Sequence, residues 1–200
     1  FFEDQLHAIK EAADCVRATS KKIEVSVMAP MIATVEEAKQ FSKAARAAGF
    51  TRVGIMIEIP AITQVIAQLK GVVDFLSIGT NDLSQYLFAA DRVNSGVAAL
   101  LNPWQPALLS VLQSIAIDSA KAGIKVGVCG EAASDPLLAV VMAGLGIGSV
   151  SASPSSLAAV VDLLSRVDAS AALAAANSAR GASNPRDAKA GAKASLIDFF

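Results

Sequence analysis

Histidine is nearly missing from this 200-residue chain: His7 is the only one. A single imidazole cannot build a metal cluster, and its polar helical surroundings place it on a helix surface. Cysteine is almost as scarce. Cys15 and Cys129 lie far apart, in unlike contexts and without metal-ligand spacing, so they read as two reduced thiols rather than a disulfide. Charge of one sign is lacking too. The net charge is −1 with no basic block, which excludes a nucleic-acid backbone as partner. No apolar run reaches the length of about 18 residues that spans a bilayer, because charges and glycines interrupt each one. Glu3, Asp4, Lys10 and Glu11 stand where a secretory signal needs an apolar core. A cytoplasmic chain without a membrane span is the expectation.

What is abundant is aliphatic: hydrophobic residues make up 54% and mean hydropathy is +0.51. That surplus is alanine, valine, leucine and isoleucine, as in α/β proteins whose parallel strands are buried on both faces. The length suffices for one domain with a real core. Short apolar runs alternate with amphipathic segments at a period of about 30 residues, the rhythm of βα units. The pattern predicts strands at 23–28, 52–57, 74–78, 125–129 and 148–151. Helices are predicted at 2–18, 35–48, from Pro60, at 82–89, 106–122, from Pro136, and from Ser153-Pro154 to about Arg166. Thr34 and Glu37 have capping-box spacing, and Gly49 and Gly123 are placed as stops. Residues 94–105 read as a loop. From 168 onward alanine, serine, lysine and asparagine dominate. A helix is possible near 171–179, but 168–200 reads as a tail, with Gly181, Pro185 and Gly191 as breakers.

Position singles out the chemistry. Glu58, the pair Asn81-Asp82, and Cys129 each fall at the C-terminal end of a predicted strand, the edge where parallel βα barrels build active sites. Packing alone does not explain three strands delivering polar groups to one rim. Glu58 among apolar residues is either a strand-end carboxylate facing water or a lysine, or a metal ligand. Asp82 is either a helix N-cap or a carboxylate for Mg²⁺ beside a phosphate-binding helix start. Two carboxylates without histidine or thiolate suit a hard cation that takes its other oxygens from substrate. Arg92 either pairs with Asp91 on the surface or offers its guanidinium fork to a phosphate. Cys129, between glycines, either fills the core or gives and takes a proton.

The segments Met28-Ala29-Pro30-Met31, Glu58-Ile59-Pro60, Ser77 to Tyr86 with Asp91-Arg92, Asn102-Pro103-Trp104-Gln105-Pro106 and Val128-Cys129-Gly130-Glu131 occur in the order seen in enzyme I of the sugar phosphotransferase system. Over about residues 20–167 the chain resembles that family, the phosphoenolpyruvate–protein phosphotransferases. The resemblance implies a phosphoenolpyruvate (PEP)-binding (β/α)8 TIM barrel. Residues 1–167 would supply about strands 4–8, the first three strands being missing. It implies that Glu58 and Asp82 hold Mg²⁺, that Asn81, Asp82 and Arg92 contact the substrate, and that Cys129 protonates the enolate to give pyruvate. It further implies a histidine domain upstream, a histidine-containing phosphocarrier as partner, and sugar uptake as the process served.

The chain departs from the family in lacking the additional phosphate-binding arginines, which belong to the missing strands. Ser151-Ala152-Ser153 also lacks the methionine often found between the two serines. An open five-stranded sheet would expose an edge, so a homodimer or wider self-association is expected. The chain by itself is expected to be inactive. Competing readings are a non-catalytic dimerisation or ligand-sensing fragment, a pyruvate phosphate dikinase-like barrel, and a Mg²⁺-dependent citrate-lyase-like barrel.

Overall fold

A computed structural model describes residues 2–19 and 23–199; residues 1, 20–22 and 200 lie outside that description. The architecture is α/β, built on five parallel strands that stand side by side in chain order. They are β1 (Ser26–Ala29), β2 (Arg52–Ile57), β3 (Phe75–Gly79), β4 (Lys125–Cys129) and β5 (Ser149–Val150). β2 and β4 keep the predicted bounds, while the other three are displaced or trimmed at their ends. Asp74 shows why at β3. Its own N–H donates to the Val53 carbonyl at 2.7 Å, but its carboxylate takes the Val53 N–H at 2.7 Å together with the Arg46 guanidinium at 2.9 Å, so the link to β2 is made in part by the side chain.

The helices are α1 (Phe2–Thr19), α2 (Val35–Ala47), α3 (Thr80–Leu87), α4 (Pro106–Ala122), α5 (Pro136–Gly144) and α6 (Leu157–Arg166). The predicted punctuation holds. Thr34 Oγ1 accepts the Glu37 N–H at 3.2 Å, and the Glu37 carboxylate accepts the Ala33 and Thr34 N–H groups at 2.9 Å each. α4 ends at Gly123 in the left-handed conformation, φ 73°. Its residues Leu108, Leu112, Ile115 and Ser119 recur at helical spacing and are buried. Pro60–Leu69, predicted as a helix, is two 3₁₀ turns broken at Val65. Ile62, Thr63, Val65 and Ile66 are all β-branched and crowd a regular α-helix.

Burial separates the two faces of the sheet. Val27, Val53, Ile55, Ile57, Leu76, Ile78, Val126 and Val128 point to one face and are buried with the helices. The alternate residues Met28, Arg52, Met56, Phe75, Ser77, Gly127 and Cys129 are half-buried or exposed. The aliphatic strands were expected to be buried on both faces. Among the described residues the helices cover one.

Residues 168–200, expected as a tail, carry α7 (Ala169–Arg180), α8 (Pro185–Ser195) and a 3₁₀ turn, Ile197–Phe199. Asp168 caps α7 by accepting the Ala171 N–H at 2.8 Å, and Asn184 caps α8 by accepting that of Asp187 at 2.9 Å. Ala172, Ala175, Ala176 and Ala179 form the buried stripe of α7. Their small side chains let backbones meet: a Cβ on Gly144 of α5 would lie 2.0 Å from the Ala172 carbonyl oxygen. Gly191, read as a breaker, sits inside α8, where a Cβ would come within 2.4 Å of Ser178 Oγ.

Candidate functional site

The ends of β2, β3 and β4 are level. Ile57 is in register with Ile78, and Gly79 with Cys129. Glu58 follows β2 directly and fills the space beside Gly79, where a Cβ would stand 2.6 Å from Glu58 Oε2. The residue is only 3% exposed. It is not paired with a lysine: among the described residues its hydrogen-bond partner is the Met31 N–H, which donates to Oε1 at 2.7 Å. Met31 reaches that position in the left-handed conformation, φ 57°, unusual for a residue with a side chain. Such strain costs about 1–3 kcal/mol, which one hydrogen bond to a charged group is large enough to offset.

α3 opens at Thr80, earlier than predicted, on Gly79 and without a side-chain cap. The Thr80 hydroxyl donates instead to the Cys129 carbonyl at 3.0 Å, tying the helix start to β4. Asp82 is therefore inside the first turn and does not act as an N-cap. Its Oδ1 accepts from Arg92 Nη1 at 3.3 Å. Arg92 thus pairs with Asp82; Asp91 accepts the Val93 N–H at 2.9 Å. The Arg92 N–H donates to Gln85 Oε1 at 3.2 Å, which fixes the chain where it leaves α3. Asn81 Oδ1 accepts the Glu131 N–H at 3.4 Å, a second link across to the end of β4.

Cys129 is a free, half-buried thiol on the open face. Its sulfur lies 3.4 Å from the Ile78 carbonyl, to which it donates, and 3.5 Å from the Ser77 hydroxyl, from which it accepts. The following Gly130 has φ 100°, and a Cβ there would meet Thr80 Oγ1 at 2.5 Å. No other residue suits both that backbone and that approach.

A pocket of about 340 Å³ opens beside this rim, lined by Thr80, Asn81, Ser84, Arg92, Pro103 and Glu131 among others. Asn81 and Arg92 enter its lining, whereas Glu58, Asp82 and Cys129 do not. Asp82 joins the two parts through its ion pair with Arg92. Met31, Ser77 and Thr80 were not singled out for roles by the sequence, since each acts through a backbone group or a short hydroxyl with no motif of its own. No set of three or more His, Cys, Asp or Glu side chains gathers for a metal among the described residues. The two carboxylates each keep one oxygen, Glu58 Oε2 and Asp82 Oδ2, without a hydrogen bond among those residues. That donor set fits a hard cation whose remaining ligands are substrate or water oxygens.

Residues 1–169 match the family model of the PEP-utilising enzyme, PEP-binding domain. The chain belongs to the PEP-utilising enzymes. It is 43% identical over 194 residues to a phosphoenolpyruvate-protein phosphotransferase of Streptomyces coelicolor, covering 96% of this chain and 34% of that protein. A protein of the same name from Listeria monocytogenes is 41% identical over 158 residues, covering 73% of this chain and 28% of that one. A probable phosphoenolpyruvate synthase of Pyrococcus horikoshii is 38% identical over 139 residues, covering 66% and 17%. The chain therefore spans about a third or less of these relatives. The likeness read from the motifs is matched by relatives that carry the phosphotransferase name. No helix among the described residues is long and apolar enough to cross a membrane.

Proposed function

We propose that this chain is the larger part of the PEP-binding domain of a cytoplasmic PEP–protein phosphotransferase, and that β1–β5 are strands 4–8 of a (β/α)8 barrel. Strand order, parallel pairing and helices on one face support the barrel reading, because a doubly wound sheet reverses its order at a switch point. The observation that carries the functional reading is the rim itself: Glu58, Gly79 and Cys129 level on adjacent strands, with Asp82, Asn81 and Arg92 at the start of and just beyond α3.

In this reading Arg92 and Asn81 hold the phosphate in the pocket, and Glu58 and Asp82 hold Mg²⁺. The cation, when bound, neutralises charge on the phosphoryl oxygens, since phosphoryl transfer needs chiefly positioning and electrostatic stabilisation. The P–O bond to the enol oxygen breaks and the phosphoryl group passes to a histidine nitrogen of an upstream domain, then to a phosphocarrier for sugar uptake. The enolate left behind takes the Cys129 proton at its terminal carbon and becomes pyruvate. The contact of the sulfur with the Ile78 carbonyl supports a protonated, donating thiol. The uncovered sheet face supports self-association of the isolated chain, which is proposed to be inactive without the remaining arginines. The phosphotransferase assignment is favoured over a synthase by the longer match and higher identity of the relatives so named.

The test is Mn²⁺ titration, with PEP present, of a full-length phosphotransferase carrying this domain and its Glu58→Gln variant. Weaker binding in the variant is expected. Equal affinity would remove Glu58 from the metal site.

A further inference from the structure

The outer wall of the pocket has no core of its own. From Asp91 to Pro103 no residue is buried, and the 3₁₀ turn Ser95–Leu101, which supplies Ala98 and Leu101 to the lining, buries none of its side chains. The wall is anchored at its ends, by Ala90 on one side and Trp104 on the other, with exposures of 1% and 3%. Arg92 ties the first end to Asp82 and Gln85, and Gln105, next to Trp104, donates from Nε2 to the Ala99 carbonyl at 3.3 Å, so what holds Trp104 steadies the second end of the wall.

Three groups hold it. The Trp104 N–H donates to Asn102 Oδ1 at 3.0 Å. The indole N–H donates to Asp135 Oδ2 at 3.2 Å. Lys189, on α8, donates to that same oxygen at 3.0 Å, with its ammonium 5.5 Å from the centre of the indole ring. The other oxygen of Asp135 accepts the Leu137 and Leu138 N–H groups at 3.0 and 3.3 Å, capping α5. All four acceptor positions of this carboxylate are thus used. Asp135 also ends the 3₁₀ turn Glu131–Ser134, which contributes Glu131 and Ala132 to the opposite side of the pocket. The Asp135–Trp104 bond consequently joins the pocket's two walls, and the C-terminal hairpin reaches in to fasten it.

We infer that Lys189 is a positioning residue for the pocket: through Asp135 and Trp104 it fixes the outer wall, so that the α7–α8 hairpin sets how well the pocket is formed. The ion pair is partly exposed, with Lys189 and Asp135 side chains at 55% and 26%. Pairs of that kind stabilise modestly, so the expected change is about two- to fivefold rather than an all-or-none loss. Neighbouring Ala188 is the residue of this turn that packs inside, so Lys189 can be changed without removing a core side chain.

The experiment uses the 200-residue chain. Lys189→Met keeps the apolar stem and removes the charge. Asp135→Asn keeps a good N-cap and removes the carboxylate. Lys189→Arg retains a charged donor. Backbone hydrogen exchange over 91–103 should quicken about two- to fivefold in the first two variants and return toward wild type in the third. Trp104, the one tryptophan of the chain, should become more accessible to a fluorescence quencher in step. Unchanged exchange in both Lys189→Met and Asp135→Asn, or failure of arginine to restore it, overturns the inference. A second arm rests on the proposed function and adds PEP with Mn²⁺ to a full-length phosphotransferase carrying this domain and the same substitutions. If they bind the wild type, their affinity should fall in Lys189→Met, by no more than about two- to fivefold, and recover in Lys189→Arg, and an unaltered affinity overturns the positioning role. If they do not bind the wild type, the substrate reading of this chain's pocket fails, while hydrogen exchange still decides the clamp.

Discussion

The two faces of the sheet use the same strands for opposite purposes. On the helix-covered face the positions of β1–β4 are aliphatic and shielded, from Val27 through Ile55 and Ile78 to Val128. On the other face the same strands carry methionine, serine, glycine, a cysteine and, one residue past β2, the buried Glu58. Each fully buried aliphatic side chain on the first face contributes roughly 1.5–3 kcal/mol. The second face spends little area on packing; Gly54 lies under Phe75, and Gly79 under Glu58, because a Cβ would collide. Core packing and the proposed site are thus segregated by the period-2 alternation of strands, and a substitution's consequence should depend more on residue parity than on its place along the chain.

The largest test of that segregation is Cys129→Ala in a full-length phosphotransferase carrying this domain. Loss of a general acid lowers turnover by about 10²–10⁴-fold, so pyruvate formation should fall by that order with the thermal midpoint little changed. Near-normal turnover would make Cys129 a packing residue. Next comes Ile55→Ala on the covered face, expected to cost about 2–5 kcal/mol in denaturant unfolding, against roughly 0.5 kcal/mol or less for Met28→Ala on the open one. Similar losses at both would erase the distinction. Gly144→Ala should cost about 1–3 kcal/mol by pushing α5 off the Ala172 carbonyl, with chemistry at the rim unaltered.

The smallest effect is that of pH. Hydrogen bonds from the Ala33 and Thr34 N–H groups hold the Glu37 carboxyl below its usual value, and the Ser170 hydroxyl, then the Ala171 N–H, do so for Asp168. A depressed folded-state value means that each contribution is present above the unfolded value, near about 4, and lost as pH falls through the folded one. Glu37→Gln and Asp168→Asn should flatten the decline of the thermal midpoint on acidification. An unchanged slope would show that neither cap matters to acid stability.

Much of this was legible in the sequence for physical reasons. Strands 52–57 and 125–129 are dense aliphatic runs with clear stops, and a polar residue at the end of each is conspicuous because burial there needs a cause. Thr34 with Glu37, and Pro106 with Gly123, are local devices readable over a few residues. The misreadings share a different origin. The stripe Ala172, Ala175, Ala176 and Ala179 barely differs in hydropathy from its surroundings, so the helix periodicity of α7 is faint. Gly191 reads as a breaker until Ser178 is found against it. Arg92 pairs with Asp82 across the end of α3 rather than with its neighbour, a choice made by tertiary geometry. The left-handed backbone of Met31 leaves no trace in composition at all.

The chain-order sheet also has a temporal meaning. Pairing of β1 with β2, β2 with β3, and β4 with β5 joins segments close along the chain, but Phe75 must find Lys125 across the longest intervening stretch. Closing a longer loop costs more entropy, about 0.6 kcal/mol per doubling, and long-range parallel pairing is intrinsically slow. The junction of β3 with β4 is also where Thr80 meets the Cys129 carbonyl and Asn81 meets the Glu131 N–H. The candidate rim is therefore assembled by the most distant pairing in the sheet, and a chain caught partway through folding holds its two halves apart.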